Sequence, residues 1–334
     1  MPQGPAISTI SSMADVWDAY RDEIDGVEHQ VRKNLDSSVT LVNTVAAHIL
    51  SSGGKRVRPL LLLLSARLCG YVGREHHQLG SLVEFIHTAT LLHDDVVDDA
   101  DIRRGRQTAR KVWGNQISIL VGDYLYSKAM ALVVEFRSQG INEVLAEACT
   151  KMAEGEVLQL YYNGNPSMPE SDYVKIVEHK TAGLIAAACR MGAILAEASE
   201  EKQTALFRFG QYIGIAFQVA DDTLDYNADG ERLGKTLGQD LRQGKATLPL
   251  LHLLAHCGEE DRSMIKDRME TRTLNEGDLA RILALMRDCG SLTYAMEQAR
   301  TYIAAAKHEL EAFEDSTARR ALTVAADYMI TRDR

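Results

Sequence analysis

The chain has 334 residues and a formal net charge of −10, with 46% hydrophobic and 25% charged residues. That length can bury a large core, and the composition is that of an ordinary globular protein. The acidic balance argues against a nucleic-acid binder, so any phosphate-bearing ligand needs a local cationic cluster or bridging metal ions. Five scattered cysteines without a C-x-x-C pair carry neither a disulfide framework nor a zinc site, which fits a reducing cytoplasm.

Residues 1–15 have neither a basic start nor an apolar stretch and are expected to be a loose segment rather than a signal peptide. A turn cluster follows at 51–54. The most apolar run, 60–64, is far too short to span a bilayer, so no transmembrane segment is expected. Between Pro59 and Pro166, and again between Pro169 and Pro249, no proline interrupts the chain, and long helices can form. These stretches are rich in Ala, Leu, Glu, Met and Gln and lack strand alternation. Apolar residues recur at helical spacing in Leu82, Phe85, Ile86 and Ala89, and again in Leu125, Ala129, Leu132, Val133 and Phe136. Further turns are predicted at 163–169 and 227–230, and 183–194 is apolar nearly all round. The expectation is one all-α domain, 1–334, forming a single large helical bundle.

Two related acidic segments carry the chemistry. The first is Asp94-Asp95-Val96-Val97-Asp98-Asp99, followed by Arg103 and Arg104; the second is Asp221-Asp222-Thr223-Leu224-Asp225. Both contain D-D-x-x-D after an apolar helical stretch. Residues four apart share a helix face, so Asp94 stacks with Asp98 and Asp221 with Asp225. Carboxylates so close repel one another, and Mg²⁺, which takes oxygen ligands and bridges carboxylates to phosphates, is the natural cation to offset this. The bland alternative is a solvated acidic face; a second copy of the motif weakens it. An EF-hand starting at Asp225 fails because Thr236 stands where a bidentate Glu is needed. A P-loop at Gly230–Thr236 fails because it is one residue short and follows no strand.

Basic partners are few. Gly53-Gly54-Lys55-Arg56-Val57-Arg58-Pro59 sets three cations at a helix start, a favourable place for a diphosphate. Arg103 and Arg104 follow the first acidic cluster by one to two helical turns. Lys180-Thr181, Lys235 and Lys245 are further cations that singly read as surface residues, and His87 alone would be an ordinary helix histidine.

The ordered set G-G-K-R-x-R-P, I-H-x-x-x-L-x-H-D-D-x-x-D-x-x-x-x-R-R-G, K-T, F-Q-x-x-D-D-x-x-D, G-K and a later G-K resembles the trans-isoprenyl diphosphate synthases (polyprenyl synthetases), over nearly the whole chain. Within that family the text most resembles the long-chain, octaprenyl-forming members. The resemblance implies an all-α bundle around a central cavity, a homodimer, and Mg²⁺-dependent condensation of isopentenyl diphosphate onto an allylic diphosphate such as farnesyl diphosphate, with two or three ions per site. It implies that Lys55, Arg58 and His87 hold isopentenyl diphosphate, with Arg104 assisting. Asp94 and Asp98 would bind Mg²⁺ shared with the allylic diphosphate, and Arg103 would touch the same group. Asp221 would hold another Mg²⁺, with Asp95, Asp222 and Asp225 in support. Lys180, Lys235 and Lys245 would neutralise the leaving diphosphate, while Thr181 and Gln218 would lie beside the reacting carbons. A cytoplasmic enzyme that touches a membrane transiently to release product, which could supply a quinone side chain, fits the same resemblance.

In this family the residues four and five before the first aspartate help form the pocket floor; here they are Thr90 and Ala89, both small. The growing chain is therefore expected to pass them and stop deeper, at Met130, Val133 or Val134, unless these three are ordinary core. The competing readings are a shorter-chain (geranylgeranyl) synthase, a terpene cyclase, and a non-catalytic subunit of the same fold. A cyclase has no use for Lys55, Arg58 and His87, and a non-catalytic subunit has no use for intact motifs.

Overall fold

In a computed structural model of the chain, residues 10–51, 54–226 and 237–331 are described. The helices in chain order are α1 (Met13–Ala19), α2 (Arg21–Asn34), α3 (Thr40–Leu50), α4 (Val57–Leu68), α5 (Glu75–Val97), α6 (Ala109–Trp113), α7 (Asn115–Glu135), α8 (Gln139–Tyr162), α9 (Glu170–Val177), α10 (Gly183–Leu195) and α11 (Glu200–Leu224). They continue as α12 (Gln239–Arg242), α13 (Leu248–His256), α14 (Glu259–Thr271), α15 (Glu276–Asp288), α16 (Ser291–Glu309) and α17 (Thr317–Thr331). The fold is all-α, as the sequence predicts. Among the described residues the sheet content is one small hairpin, β1 (Ile102–Arg103) and β2 (Arg106–Gln107), turning through Arg104 and Gly105.

Two compact units can be distinguished. One takes the described residues of Met1–Ala146, Ala187–Phe207 and Phe313–Val324; the other takes those of Glu147–Ala186, Arg208–Ala312 and Ala325–Arg334.

In the first unit, α5 packs against α2, α4 and α7. The predicted stripe of Leu82, Phe85, Ile86 and Ala89 is buried along α5, extended by Leu79 and Leu92. Helix α4 is apolar on all sides and Leu60 to Leu64 are each fully buried. Burial at about 1.5–3 kcal/mol per leucine makes α4 a central pillar of this unit. Leu125, Ala129, Leu132 and Val133 of α7 are buried as predicted. Helix α7 is the one described helix long and apolar enough to cross a membrane, a property missed when apolar runs are judged by unbroken stretches. Only 39% of its most apolar window is buried, so packing on α5 covers one part of its apolar surface and leaves another exposed.

In the second unit, α13 packs against α9, α15 and α16. Helix α9 runs directly into a π-helical turn, Glu178–Ala182, before α10. The predicted turn at 163–169 lies between α8 and α9, where Pro169 serves as the N-cap of α9.

Two local features differ from the expectation. The chain is helical from Met13, inside the stretch expected to be loose, because Ser12 and Asp15 form a reciprocal capping box. Arg103 and Arg104 sit on the hairpin rather than on a helical extension of the acidic cluster. The predicted turn at 227–230, together with Lys235 and Thr236, lies outside the described residues.

Candidate active site

In the first unit the site is built at the C-terminal end of α5. Asp94 and Asp95 occupy its last turn and Asp98 is its C-cap. The helix stops because Asp99 turns left-handed at φ 53°, with Ala100 N–H donating to Asp95 C=O and Asp99 N–H to Val96 C=O. This is the negative end of the helix dipole, where each carboxylate costs about 0.3–1 kcal/mol. The neighbourhood offsets part of that cost: Arg103 Nε donates to Asp95 Oδ1 at 2.7 Å, and Arg110 pairs with Asp99.

The cluster therefore divides by burial. Asp95 is 1% exposed and tied to Arg103, its carboxyl pushed up by burial against the pull of that arginine. Asp94 and Asp98 are half-buried. Asp95 Oδ2 is buried with no hydrogen-bond partner, one more hard oxygen donor in the group. Carboxylate oxygens of this kind suit Mg²⁺.

The basic segment at the start of α4 also divides. Arg56 takes a left-handed conformation at φ 42° and its guanidinium joins Glu28, Glu84 and the Leu50 carbonyl. Its role is to hold the entry to α4. Arg58 Nη1 lies 3.2 Å from His87 Nε2. Arginine can only donate, so His87 accepts at Nε2 and carries its proton on Nδ1. Burial and the charges of Arg58, Arg104 and Arg103 hold the His87 pKa well below its ordinary value, keeping the ring neutral. The sequence-predicted group Arg58, His87 and Arg104 thus comes together, with the exposed Lys55 three residues before Arg58.

In the second unit a cavity of about 140 Å³ gathers residues from separate chain segments: Lys180, Thr181, Gln218, Asp222 and Lys245, with Tyr173 and Asp240. Thr181 Oγ1 donates to Gln218 Oε1 at 3.0 Å, Gln218 Nε2 donates to Asp222 Oδ1 at 2.7 Å, and Tyr173 donates to Asp222 Oδ2 at 2.7 Å. Both Asp222 oxygens are therefore engaged, and the carboxyl is 6% exposed. Burial, then the Asp240 charge, push its pKa up to about 7 against these hydrogen bonds and Lys245.

Tyr173 and Gln218 thus hold the Asp222 carboxylate from both sides. Asp225 is also buried, just past the end of α11, and its Oδ2 accepts from the Asp240 backbone N–H at 2.9 Å. Asp221 is the half-buried member of this motif. Lys180 is on the π-helical turn and pairs with Glu156 of α8.

Lys245 is set by Gly244, whose φ of 78° and tight space exclude a side chain: an added Cβ would lie 2.7 Å from Asn163 Oδ1. Tyr173 and Asp240 were missed in the sequence, since a lone Tyr and an Asp outside any motif give no signal until the chain folds.

The chain-length candidates lie on α5 and α7. These helices run antiparallel, since Ser118 bonds the Leu92 carbonyl and Gln78 bonds Glu135. Ala89 is buried and Thr90 half-buried, its hydroxyl returned to the His87 carbonyl. Val133 is buried and Met130 half-buried. Val134 is 64% exposed and on the outer face of α7, so it does not line the interior of this unit; one residue along a helix turns the side chain by about 100°.

The family profile described as polyprenyl synthetase matches residues 39–286. The chain is 43% identical to the octaprenyl diphosphate synthase of Escherichia coli over 93% of this chain and 96% of that protein. It resembles the crystal structure of a decaprenyl diphosphate synthase from Rhodobacter capsulatus with a TM-score of 0.92 and 39% identity, over 96% of this chain and 99% of that one. A polyprenyl synthase from Caulobacter crescentus, complexed with calcium and isoprenyl diphosphate, matches with a TM-score of 0.92 and 39% identity over 97% and 99% of the two chains. With matches of this extent, the chain belongs to the polyprenyl synthetase family of prenyltransferases.

Proposed function

We propose that this chain condenses isopentenyl diphosphate successively onto an allylic diphosphate such as farnesyl diphosphate, producing a long all-trans polyprenyl diphosphate of about the octaprenyl class. The observation that carries the reading is the 140 Å³ cavity, where Lys180, Thr181, Gln218 and Lys245 meet from three chain segments beside Asp222. Arg58, His87 and Arg104 supply a second diphosphate-binding cluster, with a neutral imidazole that adds a donor without adding charge.

The chemistry follows from charge. The allylic C–O bond ionises when its leaving diphosphate is stabilised by preorganised cations in a water-poor pocket. Lys180 and Lys245, with Lys235, hold that diphosphate, and Arg103 contacts it while remaining braced by Asp95. Mg²⁺ held by Asp94, Asp98 and Asp221 would add Lewis-acid stabilisation of the same leaving group. The isopentenyl double bond attacks the allylic carbon, forming the new C–C bond, and the proton lost from the adduct passes to the released diphosphate. Asp95, Asp222 and Asp225 orient these groups rather than act on substrate.

We also infer a single folding domain and a homodimer. Four of the five unit boundaries fall inside helices, α8, α10, α11 and α17, and the fifth lies between α16 and α17. Exposed Ile119, Leu120, Tyr126 and Val134 leave an apolar stripe on the outer face of α7 that a second copy would cover. The enzymatic reading is tested by following labelled isopentenyl diphosphate into product with and without EDTA. Incorporation that EDTA abolishes and excess Mg²⁺ restores supports it; incorporation from no allylic primer contradicts it.

A further inference from the structure

We infer that Glu23, His76 and His77 form a binding site for one transition-metal ion of the Zn²⁺ type, fastening the start of α2 to the start of α5. Both imidazoles aim Nε2 at the same carboxylate oxygen: Glu23 Oε2 is 2.8 Å from His76 Nε2 and 2.6 Å from His77 Nε2. All three ligand atoms lie within 4.8 Å of one another. Four-coordinate Zn²⁺ with bonds of about 2.0–2.2 Å separates neighbouring ligand atoms by about 3.3 Å, so the two hydrogen-bonded pairs need to spread by about 0.5 and 0.7 Å. Two imidazoles and one carboxylate are a borderline donor set that favours Zn²⁺, Co²⁺ or Ni²⁺ over Mg²⁺ and leaves a fourth position for water.

The surroundings are built for these three side chains. Arg67 donates its Nε to Glu23 Oε1 at 3.0 Å, turning Oε2 toward the imidazoles, the second-layer hydrogen bond that orients a ligating carboxylate. His76 is fully buried, and the side chains of His77 and Glu23 are 13% and 20% exposed.

One turn along α2 from Glu23 stands Gly26, where an added Cβ would lie 2.6 Å from Cε1 and Nδ1 of His77. A glycine inside a helix costs about 1 kcal/mol relative to alanine, and here it admits the His77 ring. Asp94 is 17 residues further along α5 than His77, about 26 Å at 1.5 Å per residue. An ion here is therefore separate from those held by the first aspartate motif, and the inference does not depend on the proposed reaction.

The test uses the full chain, stripped with EDTA and titrated with Co²⁺ and then Zn²⁺, in wild type, His77→Ala, Glu23→Gln and Asp94→Ala. The expected result is one Co²⁺ per wild-type chain with the intense visible bands of a four-coordinate site, displaced by Zn²⁺. Asp94→Ala keeps those bands, while His77→Ala and Glu23→Gln lose them and bind Zn²⁺ at least tenfold more weakly. Wild type without such bands overturns the inference, whatever the variants do. So do bands lost only in Asp94→Ala, or bands that survive in both His77→Ala and Glu23→Gln; those results leave Glu23 as a carboxylate shared by two histidines and an arginine.

Discussion

Asp95 and Asp222 hold the same position in their motifs and the same kind of position in the fold. Each is the second aspartate of D-D-x-x-D, turned about 100° from the first and buried by its helix. Each has a protein partner, Arg103 for Asp95 and the Tyr173–Gln218 pair for Asp222. Asp94→Ala is accordingly expected to lower kcat by about 10²–10³, the size of a lost electrostatic contact to a leaving group, with little change in melting temperature. Asp95→Ala should instead lower the melting temperature, because it removes the buried carboxylate that holds Arg103 to the end of α5. Steady-state kinetics alongside thermal melts separate the two; equal loss of stability in both would contradict the division.

Asp222 also makes a pH prediction. Its folded pKa of about 7 lies above the ordinary 3.8, so the native state holds the proton more tightly than the unfolded state. That contribution is fully present below 3.8 and lost as pH rises through about 7, so metal-free protein should lose stability across this window. Asp222→Asn should flatten that slope, measured as denaturant midpoints at successive pH values; an unchanged slope would mean the carboxyl is ionised throughout.

Among the elements, α5 and α7 were the most legible in the sequence. Their apolar residues recur at helical spacing, although α5 buries every residue from Leu79 to Ile86 while α7 buries Val121, Leu125, Ala129 and Leu132 on one side. The hairpin at 102–107 was not legible: two residues per strand cannot show alternation, and its turn depends on Arg104 and Gly105 both taking positive φ. The π-helical turn was equally hidden, since a change from i−4 to i−5 hydrogen bonding leaves no mark on residue spacing.

The chain-length argument belongs to α5. Ala89→Tyr places a ring about 7 Å, or five residues, below Asp94 and is expected to shorten the product, read by chromatography after dephosphorylation. Unchanged length would show that the prenyl chain does not pass Ala89. On α7, Leu120→Asp introduces a charge into the exposed apolar stripe. It should shift the protein from dimer to monomer in light scattering, and a dimer of unchanged stability would place the interface elsewhere.

For the molecule as a whole, a net charge of −10 coexists with a local gathering of Arg58, Arg104 and His87 in the first unit. The motif residues foretold much of the candidate site because a D-D-x-x-D pair, a K-T pair and a G-K pair are tied to helix faces and turns by local geometry. What they could not foretell was which partners finish the site. Tyr173 lies 49 residues before Asp222, and Glu156 meets Lys180 from another helix. Those pairings come from packing alone.

The most direct test of the central claim is the size of the product. Purified chain is incubated with labelled isopentenyl diphosphate, farnesyl diphosphate and Mg²⁺, and the products are dephosphorylated and resolved by length. A ladder ending near octaprenyl is the predicted result; a product that stops at geranylgeranyl would contradict the long-pocket account while leaving the condensation chemistry in place.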